Sequence, residues 1–228
     1  MHRVDTKAPI KLAVCIPSTG MWCADFGYSL AAMCVQIAVE PFENDQERKV
    51  VVLEKRTSAL PRSRQELLED AILHDCTHAL FVDSDQAFPN DTAHRLIAHK
   101  KPLVACNIAL KTAPSFPTAR QRGPTPFGIP VTTGAAQKGL EKVWRVGTGV
   151  MLIDLSIVRA LPKPWFEMRW SDKASQFVGE DWYFLGKLEK NGAGDFYIDH
   201  DLSRQIGHVG QFMFTHTNIP NIELEQAA

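Results

Sequence analysis

"LFVDSDQAFPND", residues 80–91, decides how the chain is read. The apolar run Ala79-Leu80-Phe81-Val82 has the composition of a buried strand, and it stops at two carboxylates one residue apart, Asp83 and Asp85. If extended geometry persists to residue 85, both acids point to one side and Ser84 to the other. Two like charges so placed repel, and one of them takes up a proton unless a cation lies between them. Hard carboxylate oxygens suit Mg2+ or Mn2+. Open α/β sheets bind ligands beyond the carboxyl ends of their strands, and this pair stands at such an end. The plain alternative is a solvated turn, because Asp-Ser-Asp is ordinary turn composition.

The pattern on either side supplies the sheet. Residues 10–17, "IKLAVCIP", read as a first buried strand stopped by Pro17, with "STG" as the loop after it. Residues 25–38 place Leu30, Met33, Cys34 and Ile37 on one helical face. The β-branched run 49–54 is a second strand, and 61–75 carries a helical pattern through Leu67, Leu68, Ala71, Ile72 and Leu73. A third strand spans 77–83. Asn90 or Asp91 caps a short helix reaching about Lys100, and 102–110 is a fourth strand. This alternation predicts an α/β fold, a mostly parallel central sheet flanked by helices.

The rhythm changes at residues 111–135, rich in Pro, Thr and Gly, a long irregular stretch of the kind that forms a lid or binding loop. Beyond it, "KVWRV" and "VMLIDL" read as strands around a tight Gly147-Thr148-Gly149 turn. Residues 179–192 read as a helix ended by Gly192, with Lys187 and Lys190 in its last turns. A late strand covers 195–199, and the chain after about Pro220 is a polar, frayed tail.

Composition narrows the function classes. The chain has 228 residues, which suits one large α/β domain or at most two small ones, and 45% of them are hydrophobic, enough for a sizeable core. A formal net charge of −1 gives no basic excess of the kind that marks a nucleic-acid surface. Cys15, Cys23, Cys34, Cys76 and Cys106 are scattered, without a C-x-x-C pair, which argues against a disulfide framework or a zinc site. Reduced thiols, no export signal and no apolar run near the ~20 residues of a membrane span make a soluble, cytoplasmic protein the expectation.

Two downstream features add chemistry. Glu180 and Asp181 stand at the start of the 179–192 helix, where acids pair with the helix dipole. A carboxylate there also serves as a general base toward an alcohol. His208 lies in "IGHVG", residues 206–210, either as polar surface or as a metal ligand whose neighbouring glycines let the backbone approach closely.

Taken in order, "ALFVDSDQAFP", "VGTGVMLIDL", "PWF", "GEDWYFLGKL" and "IGHVG" resemble the GT-A-fold glycosyltransferases, in particular the small family-2-like type of bacteria and their phages. The resemblance covers roughly residues 10–210. It implies a Rossmann-like nucleotide-diphospho-sugar transferase fold in one catalytic domain, residues 1–228. Residues 10–110 would be the nucleotide and metal half, 111–215 the acceptor and catalytic half, and 216–228 a tail.

The resemblance also implies a nucleotide-sugar donor, a UDP-sugar foremost, and a divalent cation, Mn2+ or Mg2+. In its terms Asp85 coordinates the metal and His208 is the late third ligand. Asp83 meets the ribose or a metal-bound water, and Ser84 is the spacer on the donor side. Asp181 is the base, with Glu180 beside it facing the acceptor. Pro17, Ser18 and Thr19 hold the nucleotide. Arg64 approaches nucleotide or diphosphate, or is a surface residue of its helix. Backbone at Gly147 and Gly149 would admit the sugar, while Trp165 and Phe166 offer it an apolar face or pack in the core.

The chain departs from family-2 patterns in lacking a clear second-strand Asp, Glu54 being the nearest substitute. It also lacks the Q-x-x-R-W motif of processive synthases, which favours single transfer. The His-Gly context occurs in retaining enzymes too, so the stereochemical outcome stays open. Two other readings of the acids stand beside this one: a metal-dependent phosphoester hydrolase and a non-catalytic binding module. The acceptor is not specified, and a saccharide, a lipid-linked glycan, a protein or a nucleobase of a nucleic acid all fit.

Overall fold

The computed structural model describes residues 9–42, 50–210 and 213–219. Its first half runs β1 (Leu12–Ser18), α1 (Ala24–Val39), β2 (Val50–Arg56), α2 (Leu60–Leu73), β3 (His78–Val82), β4 (Gln86–Ala87), α3 (Thr92–Ala98) and β5 (Leu103–Ala105). The second half runs β6 (Arg120–Gln121), β7 (Ile129–Pro130), β8 (Leu140–Val143), β9 (Val150–Asp154), α4 (Ser156–Arg159), β10 (Arg169–Ser171) and β11 (Gln176–Val178). It closes with α5 (Glu180–Lys190), β12 (Phe196–Asp199), α6 (His200–Ser203), β13 (Gly207–Val209) and β14 (Met213–Phe214).

Seven strands make the central sheet, in the order β2-β1-β3-β9-β5-β12-β8. β1 is parallel to β2 and β3, and β5 is parallel to β12, whereas β9 and the edge strand β8 run antiparallel to their neighbours. The sheet is therefore mixed and mostly parallel, with helices against it, the α/β architecture expected. The 150–155 run does not turn back on 142–146. All five residues of β9 are buried, so the strand needs cover on both sides and lies between β3 and β5. β8 buries only Val143 of its four residues and takes the edge.

Side-chain alternation along β3 divides the core. Phe81 packs on one face with Leu67, Leu68, Phe166, Phe184 and Leu185. Leu80 and Val82 pack on the other with Phe26, Leu30 and Met33. The 3.6-residue period of α1 and α2 lays those apolar positions along one stripe of each helix. Pro61 stands in the first turn of α2, where a missing N–H removes no helical bond. Gly192, with φ 82°, supplies the left-handed residue that follows α5.

Several boundaries differ from expectation for identifiable reasons. Pro17 does not stop β1, which continues to Ser18 beside β2. Pairing with β3 has already ended at Cys15 and Phe81, so Pro17 sits where only one flank is laddered. The fourth strand ends at Ala105 rather than 110. Asn107, fully buried, turns its amide to the Val131 carbonyl (2.6 Å) and Thr133 Oγ1 (3.0 Å) and accepts the Ala119 N–H (2.9 Å). That side chain fastens the 111–135 segment to the sheet, which is not the free irregular loop its composition suggested. Asp91 occupies the position before α3 but makes no capping hydrogen bond. The expected tail beyond Pro220 lies outside the described residues. No helix among the described residues is long and apolar enough to cross a membrane.

Phe184 anchors α5 to this core, fully buried and stacked on Phe166 with ring centroids 4.6 Å apart. Phe184→Ala is expected to lower stability by about 3–5 kcal/mol in urea denaturation, because it leaves a cavity where α5 meets the sheet. A loss below about 1 kcal/mol would mean that α5 is not held this way.

Candidate active site

The strand does not persist through the two acids. β3 ends at Val82, and residues 83–86 form a turn closed by the Gln86 N–H on the Asp83 carbonyl (3.0 Å). The Asp83 N–H donates to the Gly149 carbonyl (2.9 Å), and the Cys23 N–H donates to the Ser84 carbonyl (3.2 Å), so the turn is tied both to the start of β9 and to the start of α1. Gly149 fits this close approach, since a side chain there would have to displace the end of Ile108. A Cβ there would lie 2.8 Å from Ile108 Cδ1 and 3.3 Å from Asp83 Oδ2. In the turn the two carboxylates part and find different partners.

Asp83 belongs to Arg64. The guanidinium, only 2% exposed, donates from Nη2 to Asp83 Oδ1 (3.0 Å) and Oδ2 (3.3 Å), and from Nε to Glu180 Oε1 (3.2 Å). Burial works against the Arg64 charge, but Asp83 and Glu180 outweigh it and raise the guanidinium pKa. For Asp83 burial dominates: it raises the carboxyl pKa, with Arg64 pulling the other way. Arg64 is thus not a surface residue: Nε and Nη2 are engaged by the two acids, and Nη1 is buried without a hydrogen-bond partner among the described residues. Glu180, expected to face the acceptor, faces Arg64 instead.

Asp85 turns the other way, to Lys111 and His208. The Lys111 ammonium meets Asp85 Oδ2, and His208 Nε2 stands 3.6 Å from Asp85 Oδ1. β13 brings the histidine here. It pairs antiparallel with β4, His208 opposite Gln86, and the Val209 N–H donates to the Asp85 carbonyl (2.7 Å). His208 Nδ1 donates to the Ala109 carbonyl (2.8 Å), which fixes the ring and aims Nε2 at Asp85, the orientation a metal-ligating histidine requires. Burial opposes the Asp85 charge, but the hydrogen bonds and charges of His208 and Lys111 prevail and hold the carboxyl down at about 2. Asp83 does not join them. Among the described residues no group of three His, Cys, Asp or Glu side chains is placed to share one metal. The expected set of Asp83, Asp85 and His208 is reduced to the last two.

Asp181 opens on a cavity of about 420 Å³ whose walls include Arg120, Phe127, Phe177 and Trp182. Burial raises the Asp181 carboxyl to about 6, and the Glu180 charge adds to it, against the Trp182 N–H that Oδ1 accepts at 2.7 Å and the charge of Arg64. A carboxyl poised there, at the wall of a cavity that fits a sugar ring, suits proton abstraction near neutral pH. Trp182 meets Phe127 and Trp144 edge-on at 5.6 Å and 5.4 Å, so the aromatic wall is fixed.

The other expected residues sort by burial. Pro17 and Ser18 are buried at the end of β1, Thr19 is exposed, and Ser18 Oγ accepts the Gly20 N–H (2.9 Å). Glu54 is engaged by Trp22 Nε1 (2.9 Å) and Arg56 Nε (2.8 Å). Gly147 packs against Thr118, 3.1 Å from where a Cβ would stand, and both it and Gly149 are buried rather than open to a sugar. Trp165 and Phe166, 3% and 4% exposed, are core residues and offer no face to a ligand. Lys111, Arg120, Phe127 and Phe177 were not anticipated. Lys111, Arg120 and Phe127 lie in the segment whose only sequence mark was its Pro, Thr and Gly content. Trp182 sits inside the quoted "GEDWYF" and was legible as a neighbour of Asp181.

Arg64→Met removes the only side-chain cation that pairs with both Asp83 and Glu180 among the described residues. It is expected to cost about 3–5 kcal/mol at neutral pH in urea denaturation. The deficit should shrink as pH falls and Asp83, left buried without its cation, takes up a proton. A deficit that is small, or constant with pH, would refute the pairing.

No protein-family model matches this chain, and no curated protein matches it in sequence. In structure it is similar to A197 from STIV, at 15% identity and a TM-score of 0.62 over 95% of this chain and 100% of that one, a likeness of fold. S. aureus TarS 1-349, solved in complex with UDP-GlcNAc, aligns with a TM-score of 0.45 and 14% identity over 84% of this chain and 56% of that one.

Proposed function

We propose that the chain is a glycosyltransferase that moves a sugar from a nucleotide-diphosphate-sugar donor, a UDP-sugar foremost, to an acceptor hydroxyl. One observation carries the reading: Arg64 joins the turn that bears Asp85 to the helix start that bears Asp181. A cation-seeking pair and a carboxyl of raised pKa are thereby tied through one buried guanidinium at the carboxyl end of β3, where α/β sheets bind ligands. The motif resemblance points to the same chemistry.

The residues divide the work. Asp85 and His208 would hold Mn2+ or Mg2+, and the Lys111 ammonium already on Asp85 marks the spot as one that favours positive charge. When bound, such a cation supplies Lewis-acid charge that stabilises the departing diphosphate. Asp83 positions the turn through Arg64 rather than ligating. Pro17, Ser18, Thr19 and Ser84 border the donor side, at the end of β1 and in the turn itself. On the acceptor side the hydroxyl gives its proton to the Asp181 carboxylate as its oxygen bonds to the anomeric carbon. The bond from that carbon to the phosphate oxygen breaks, and its electron pair leaves on the nucleoside diphosphate. A two-metal phosphoester hydrolase needs carboxylates shared between ions, and Asp83 is committed to Arg64.

Purified protein assayed with Mn2+ against a panel of nucleotide sugars is expected to release a nucleoside diphosphate. Asp85→Ala should reduce that release by about 10²–10³, and undiminished release would remove Asp85 from the mechanism.

Proton abstraction by Asp181 fixes the sign of the pH dependence. The carboxylate is the active form, so kcat/KM should climb with pH up to about 6 and level off above it. Asp181→Asn is expected to lower kcat by about 10²–10⁴ and to abolish that rise. A variant that keeps the wild-type rate and profile would exclude the base role.

A further inference from the structure

We infer that the cavity beside Asp181 takes an acceptor bearing an anionic group, a carboxylate or a phosphate, which seats on the guanidinium of Arg120. This deepens the transferase reading and rests on it for the word acceptor, while the anion site itself rests on geometry.

Arg120 lines the cavity together with Asp181, Phe127, Phe177 and Trp182. Its backbone is fixed. Its N–H donates to the Arg145 carbonyl (2.8 Å), its carbonyl accepts from Trp144 (2.8 Å) and Arg145 (3.1 Å), and it stands in register with Pro130. Its side chain is only partly exposed, yet the guanidinium has no hydrogen bond, ion pair or ring contact among the described residues. Nearby arginines are committed: Arg145 to Glu189 and the Trp144 carbonyl, Arg122 to Glu189, Arg64 to Asp83 and Glu180.

A partly desolvated cation without a partner is costly, and burial accordingly pushes the Arg120 guanidinium down. A planar five-donor fork held on a fixed backbone matches a carboxylate or phosphate in two parallel hydrogen bonds. Asp181, the acid in the same cavity, does not fill this role: no ion pair joins the two, and Asp181 sits above the usual carboxylate range, not below it as a salt-bridged acid would. The positive charge is left for a ligand. Phe127 and Trp182 give the cavity aromatic surface against which the C–H groups of a sugar can pack, and Asp181 supplies the base for its hydroxyl. The chemistry assembled in one cavity is that of a sugar acid or a sugar phosphate.

Isothermal titration tests the inference without donor or turnover. The ligands are methyl glycosides of neutral hexoses, the matching uronic acids and the matching hexose 6-phosphates, and the proteins are wild type, Arg120→Gln and Arg120→Lys. At least one anionic ligand is expected to bind the wild type 10-fold or more tighter than its neutral counterpart. Arg120→Gln should erase that margin and Arg120→Lys keep part of it. Which arm carries the margin, uronic acid or phosphate, identifies the anion. The inference is overturned if no anionic ligand outbinds its neutral match, or if Arg120→Gln preserves the margin. UDP with Mn2+ should bind wild type and Arg120→Gln equally, and a loss in the variant would move Arg120 to the donor and also overturn it. An Arg120-dependent margin in a protein that releases no nucleoside diphosphate from any nucleotide sugar would uphold the anion site and sink the transferase reading.

Discussion

A buried guanidinium cannot be left with one weak partner, and Arg64 has two. Its place on α2, nearly sealed from solvent, makes the fold deliver Asp83 from the end of β3 and Glu180 from the first turn of α5 to the same point. Those residues are far apart in the chain, and the cost of stranding any of the three charges fixes how α2, β3 and α5 meet. Asp85 and Asp181 are each within two residues of an acid that Arg64 holds. Asp85 and Asp181 are therefore placed by the two acids that Arg64 holds, and neither is itself paired with that guanidinium.

That arrangement gives chemically identical side chains opposite properties. Asp85, burdened by burial but reached by Lys111 and His208, is kept ionised at about 2. Asp181, buried beside Glu180, is lifted to about 6 despite the Trp182 N–H and the charge of Arg64. One acid is prepared to sit against positive charge and the other to take a proton near neutrality. Environments that drive titratable groups apart in this way divide labour among them.

Much of the fold was legible because it is written in local pattern. The apolar runs of β1, β3 and β9 and the stripes of α1, α2 and α5 each announce their period within a few residues. Within the site, "DSD", "GED" and "GHVG" were legible as acids and a histidine in suggestive places. Their partners were not. Extended geometry through residue 85 would have put Asp83 and Asp85 on one side, but the Asp83 N–H is taken by Gly149 and the chain turns instead. Arg64 reads as one more charge on an amphipathic helix until Glu180, 116 positions away, is brought to it. Trp165 and Phe166 could stack on a sugar or fill a core, and only the arrival of Phe184 and Phe81 against Phe166 decides for the core. Contacts that close over such separations leave no trace in a window of ten residues.

The segment 107–131 was the least legible part and carries much of the site. It begins at Asn107, whose buried side chain binds Ala119, Val131 and Thr133 at once, so residues far along the segment are fixed from its first position. Between those ties the chain passes the Ala109 carbonyl that orients His208, then Lys111 on Asp85, then Thr118, Arg120 and Phe127 in the cavity wall. A stretch dominated by Pro, Thr and Gly has little apolar periodicity to reveal this, because its order comes from one buried amide and from strand-like pairing with residues near 145. The same anchoring means that the cation-favouring spot at Asp85 and the wall facing Asp181 are built from one continuous piece of backbone. Their relative position is then set by the Asn107 amide as firmly as that of the carboxylates is set by Arg64. The two halves of the site are each registered to the sheet by a buried polar side chain, one charged and one neutral.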